Sequence, residues 1–84
     1  MNLALAHEIQ DVAYVLNRPK LDELRRVNGI QTEAELARVI GVSKPTLHRV
    51  TKGEVKPSNG FMARVKLAFP HVPMEALFSI ERSA

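Results

Sequence analysis

The stretch that most constrains this 84-residue chain is Thr32–Lys52, TEAELARVIGVSKPTLHRVTK. Its punctuation reads as two short helices joined by a tight turn. Thr32 stands before Glu33-Ala34-Glu35, so a threonine N-cap and a glutamate three residues on predict a capping box. Leu36, Ala37 and Ile40 then make an apolar stripe at helical spacing, with Glu33, Glu35 and Arg38 on other faces. Ala37 presents only a methyl group, which lets a second helix cross closely. Gly41 follows the last apolar residue, where a helix ends most readily in the left-handed conformation, and Val42 is expected to enter the core as the chain reverses. Ser43 is a second N-cap, and Lys44-Pro45 occupy the first turn, which tolerates proline. Leu47 and Val50 face inward. Lys44, Thr46, His48, Arg49 and Lys52 stay outside, and Gly53 closes the second helix.

With those residues in place, Leu36-Ala37, Ile40-Gly41-Val42-Ser43, Thr46-Leu47, Arg49-Val50 and Lys52-Gly53 resemble the helix-turn-helix domain of the lambda-repressor/Cro type. The resemblance runs over residues 19–80 and is tightest over Glu35–Gly53. It implies a mainly α fold, a compact bundle of about five short helices, with the helix-turn-helix unit at 32–52 inside a DNA-binding domain at 19–84. It also implies that helix 43–52 lies in the major groove of double-stranded DNA. One residue departs from the pattern. Many members of that family carry glutamine after the N-cap of the first helix of the unit, where it clamps a phosphate. Here the position is Glu33, which cannot donate a hydrogen bond and repels the DNA backbone.

Charge distribution agrees with a polyanion partner. The formal net charge is only +3, yet Leu36–Lys66 holds Arg38, Lys44, Arg49, Lys52, Lys56, Arg64 and Lys66 against Glu54 alone. That segment carries +6 and the remainder −3, the footprint of a basic face on a near-neutral protein. Cysteine is absent, which excludes disulfides, thiolate metal sites and a thiol nucleophile. The opening Met1–Ala6 has no basic leader and runs into His7-Glu8, so no signal peptide is expected. Leu67–Met74 is uncharged but holds two prolines and is too short to span a bilayer. The expected location is the cytoplasm, on the nucleoid when bound to DNA.

Residues 1–18 read as an N-terminal extension packing on the core, helix or strand. Leu5, Ile9, Val12 and Leu16 fit helical spacing, while Val12–Leu16 is also rich in strand formers. Leu77–Glu81 is a second short β-prone segment, and pairing of the two chain ends as a small two-stranded ribbon is the favoured reading, with Leu3–Gln10 helical or loosely ordered. Tyr14 and Val12 are expected on the core. Asn17-Arg18-Pro19 is a break, with Pro19 in the first turn of a helix whose inner stripe is Leu21, Leu24 and Val27, ended by Asn28-Gly29. Arg25 and Arg26 are expected as surface or salt-bridge residues, not as DNA contacts. After a loop at Glu54–Asn59, with Val55 tucked inward, Ser58 or Asn59 caps a helix whose core stripe is Phe61, Val65, Ala68 and Phe69. Gly60 weakens its first turn by about 1 kcal/mol relative to alanine, and either permits close approach of a phosphate or marks a frayed start. Pro73–Phe78 makes one last helical turn or two.

The expected base readers are Lys44, Pro45, Thr46, His48 and Arg49. Arg49 leads, because its guanidinium fork matches O6 and N7 of guanine; Pro45 can press on a thymine methyl. Thr46 has a competing role, hydrogen-bonding back to Ser43. Phosphate contacts are expected from Thr32, Ser43, Lys52, Lys56, Ser58 and Asn59, which flank that helix. No enzyme is expected. His7-Glu8 is followed by Asp11 where a zinc-protease motif needs a second histidine, no Gly-rich loop follows a strand, and no metal, cofactor or small-molecule ligand is implied. The expected function is that of a sequence-specific transcription regulator, a small phage-type repressor or Cro-like protein occluding an operator. An antitoxin-like interaction protein with secondary DNA binding, or an architectural DNA protein, would fit the same charges. Related repressors dimerise through their C-terminal ends, so Leu77, Phe78 and Ile80 are candidates for a homodimer contact; they can equally fold back on the N-terminal segment.

Overall fold

The computed structural model describes residues 11–83. Its elements are β1 (Asp11–Leu16), α1 (Arg18–Val27), α2 (Glu33–Ile40), α3 (Lys44–Thr51), α4 (Asn59–Ala68), α5 (Met74–Leu77) and β2 (Phe78–Ser83). The described chain is thus mostly helical, with one two-stranded antiparallel sheet made from its ends. The register sets Leu16 opposite Phe78, Tyr14 opposite Ile80 and Val12 opposite Arg82. The expectation for Leu3–Gln10 lies outside the described residues. No helix among the described residues is long and apolar enough to cross a membrane.

The helices start and stop where local chemistry directs. The side-chain oxygens of Asn17, Thr32, Ser43 and Ser58 each accept a backbone N–H from the residue three further on, capping α1, α2, α3 and α4. The reciprocal arm of the α2 capping box is displaced by one residue. Glu35 Oε2 accepts from the N–H of Gln31 at 3.0 Å, one position before the cap. Arg25, expected as a surface or salt-bridge residue, instead donates to the Gln31 carbonyl at 3.1 Å, so Gln31 is held from both sides between α1 and α2.

Gly41 ends α2 with φ 89°, and the N–H groups of Gly41 and Val42 both return to the Ala37 carbonyl. The left-handed backbone, which costs an L-residue about 1–2 kcal/mol, is one reason for glycine here. Space is the other, since a Cβ would lie 2.9 Å from the Arg64 guanidinium. Gly41→Ala is therefore expected to lower stability by about 1–2 kcal/mol, read as a shifted urea midpoint at unchanged slope.

Among the described residues, thirteen apolar side chains form the core, including Leu21, Leu24, Leu36, Ala37, Ile40, Leu47, Val50, Phe61 and Val65. Phe61 meets Phe78 edge to face at 6.4 Å between ring centroids. Asn17 ties the two ends of the chain together: its N–H donates to the Leu77 carbonyl at 2.8 Å and its side-chain amide to the Ala76 carbonyl at 3.1 Å.

Several inward expectations fail. Val27 is 75% exposed, because the chain turns away at Asn28-Gly29 and no described residue covers the end of α1. Val55 is exposed in the loop after α3. Val12 and Tyr14 are exposed as well, since only Leu16, at the base of the ribbon, reaches the core. Leu77 and Phe78 are buried within the chain, which removes both from a dimer surface and leaves Ile80 exposed.

Candidate nucleic-acid interface

Helix α3 divides cleanly. Leu47 is wholly buried and Val50 nearly so, whereas Lys44, Pro45, Thr46, His48 and Arg49 are all exposed, with Lys52 just beyond. Its N-terminus is rigidly closed. Ser43 Oγ accepts the Thr46 N–H at 3.2 Å and donates to Thr46 Oγ1 at 2.8 Å. Thr46 thus serves the cap, as expected, and keeps its own hydroxyl proton for a ligand. The other end is held by Thr51, whose hydroxyl donates to the His48 carbonyl at 3.0 Å.

The cations fall into two groups. Arg38, Lys44, Arg49, Lys52 and Arg64 are exposed and have no carboxylate within ion-pair distance among the described residues. Three others of this basic segment and its helices are engaged. His48 Nδ1 lies 3.3 Å from Glu33 Oε1, joining the middle of α3 to the first residue of α2. Lys56 Nζ lies 3.5 Å from Glu81 on β2. Lys66 Nζ donates to the carbonyls of Pro70 at 2.9 Å and Val72 at 2.7 Å, and so closes the C-terminal end of α4 instead of contributing to a free basic surface.

Of the expected phosphate contacts, Thr32, Ser43 and Ser58 are the N-caps of α2, α3 and α4, and all three are exposed. Asn59 is the first residue of α4 and is exposed too. These three helix starts carry unpaired N–H groups and the positive end of the helix dipole. Gly60 has room for a side chain: the nearest atom to an added Cβ is Ser58 Oγ at 3.9 Å. Packing among the described residues therefore gives no reason for glycine at that position.

Two contacts relevant to this surface are not signalled by the sequence, although both residues are noted there. Arg64, one turn into α4, lies against the α2–α3 turn at Gly41. Glu33 answers His48 directly, a pairing across fifteen positions that no local spacing signals.

Comparisons with protein-family models, with curated proteins and with solved structures return no match.

Proposed function

We propose that this chain is a sequence-specific, double-strand DNA-binding transcription regulator of the lambda-repressor/Cro type, with α3 entering the major groove of an operator. The observation that carries the reading is the exposed set on α3: Lys44, Pro45, Thr46, His48 and Arg49 all face solvent on a helix anchored by Leu47 and Val50, and Lys44 and Arg49 have no carboxylate within ion-pair distance among the described residues. An α-helix fits the major groove, and these side chains include a bidentate donor, a cation, an apolar ring and a hydroxyl. The capped starts of α2 and α4, and Lys52 just past α3, supply groups of the kind that hold phosphates. Occlusion of a promoter by the bound protein is the mechanism. The cytoplasm and its DNA are the corresponding location.

Selection from a pool of random duplexes near physiological salt tests this reading. Enrichment of a defined site supports it. Salt-sensitive binding without enrichment would assign the chain to architectural DNA proteins, and no binding at all would rule the reading out.

Glu33 has a specific place in the proposal. Its carboxylate stands at the start of α2, where a backbone phosphate would approach, and it neutralises His48 whenever that ring is protonated. Glu33→Gln removes the repulsion and adds an amide donor. The variant is expected to bind all duplexes more tightly by about 1 kcal/mol, several-fold in affinity, with little change in preferred sequence. Fluorescence anisotropy with a selected and a scrambled duplex measures both quantities.

A further inference from the structure

The ribbon carries a feature that the DNA-binding reading does not use. The Asn17 N–H donates to the Leu77 carbonyl in continuation of the β1–β2 register. Antiparallel ladders alternate between pairs that exchange hydrogen bonds and pairs that do not. Counting from Asn17 and Leu77, the exchanging pairs are Val15 with Ser79 and Ala13 with Glu81. The backbone N–H and C=O groups of Val12 and Tyr14 therefore point away from β2, along the free edge of β1. Among the described residues no backbone group pairs with that edge. The free edge of β2 differs, because the outward N–H of Phe78 already donates to the Met74 carbonyl.

The side chains of the same residues are also uncovered. Val12 is 57% exposed, Tyr14 46% and Ile80 60%, and the register places all three on the face that continues from Leu16 and Phe78. Val12–Leu16 contains no charge and no proline, two of the devices by which edge strands resist pairing. β2 instead presents Glu81 and Arg82.

We propose that the free edge of β1 pairs antiparallel with β1 of a second copy of this chain, giving a four-stranded sheet in the order β2-β1-β1-β2. The strand is complementary to itself about Tyr14. In that register each Tyr14 faces the Tyr14 of the other copy, and Val12 faces Leu16, so every outward donor and acceptor from Val12 to Leu16 meets a partner. Three rows then cross this face of the sheet. The middle one is Ile80, Tyr14, Tyr14 and Ile80; the two flanking ones, related by the symmetry of the pair, each run Arg82, Val12, Leu16 and Phe78 and bring exposed Val12 beside the Leu16–Phe78 step that enters the core of the other copy. Self-pairing of β2 about Glu81 or Arg82 would instead set like charges face to face, which is unfavourable. A lone two-stranded ribbon is marginal in water, and four strands that share an apolar centre, with Arg82 only at the two outer corners, are not.

The test uses the unaltered chain without DNA, so its outcome is separate from the role of α3. Sedimentation equilibrium from micromolar to millimolar concentration is expected to show the mass rising from 9.4 kDa toward twice that value. Val12→Pro removes an N–H that the β1–β2 ladder does not use, so it is expected to keep its circular dichroism spectrum and stay monomeric. Ile80→Pro blocks the β2 edge and is expected to associate like the unaltered chain. Amide exchange supplies a second measurement: Val12 and Tyr14 are expected to slow with rising concentration, while Ala13 and Val15 stay protected throughout. An unaltered chain that remains a monomer overturns the proposal. So does association by Val12→Pro equal to that of the unaltered chain, loss of association in Ile80→Pro alone, or a rise in mass with no slowing at Val12 and Tyr14.

Discussion

Leu47→Ala is expected to lower stability by about 2–5 kcal/mol, the largest effect of any single change on the face of α3. Leu47 has no exposed surface and sits between Thr46 and His48, which are both exposed. The loss combines the transfer energy of the deleted atoms with a cavity that α2 and α4 cannot fully close, since Leu36 and Val65 are themselves fully buried. Small domains have stabilities toward the lower end of about 5–15 kcal/mol, so the variant should be largely unfolded at moderate urea. Urea titration followed by circular dichroism gives the midpoint. An equal loss in His48→Ala would contradict the division of α3 into an anchored and a free side.

What could be read from the sequence was what is local. Thr32, Ser43 and Ser58 cap helices because each hydroxyl needs only the N–H three residues ahead, and Gly41 ends α2 for reasons contained in its own backbone. The ribbon was legible as two short β-prone segments, although alternation cannot reveal how far along a strand the core extends. Alternation alone therefore points Tyr14 and Val12 inward, whereas both are exposed. Val27 and Val55 were misjudged for a related reason: hydrophobicity marks a residue as suitable for burial, and a neighbouring element must still arrive to bury it.

The site was legible to the same degree. The exposed face of α3 follows from the spacing of Leu47 and Val50. The partners that engage its surroundings do not, because each is distant in sequence. Lys56 meets Glu81 twenty-five positions away, His48 meets Glu33 across the α2–α3 turn, and Asn17 bonds Ala76 and Leu77 at the other end of the chain. A count of cations therefore overstated the free basic surface. Lys66 serves two carbonyls and Lys56 has a carboxylate beside it, while Arg49 and Lys52 stay unpaired among the described residues.

That difference among the cations shapes the second large expectation. Arg49→Ala should weaken binding to a selected duplex by about 1–3 kcal/mol and relax base choice at one position of the site. The reason lies in geometry. A guanidinium offers two parallel donors matched to the O6 and N7 acceptors of guanine, and Arg49 has no carboxylate competing for them among the described residues. Lys52→Ala removes a point charge just past α3 instead, so it should weaken selected and scrambled duplexes alike and reduce the slope of log affinity against log salt by about one. Lys56→Ala should show the same pattern more weakly, because Glu81 already offsets that charge. Repeating the duplex selection with each variant separates base reading from phosphate contact. If Arg49→Ala leaves the selected sequence and its affinity unchanged, α3 does not read bases through Arg49. If Lys52→Ala alters the preferred sequence, the division between reading and positioning residues on this face is wrong.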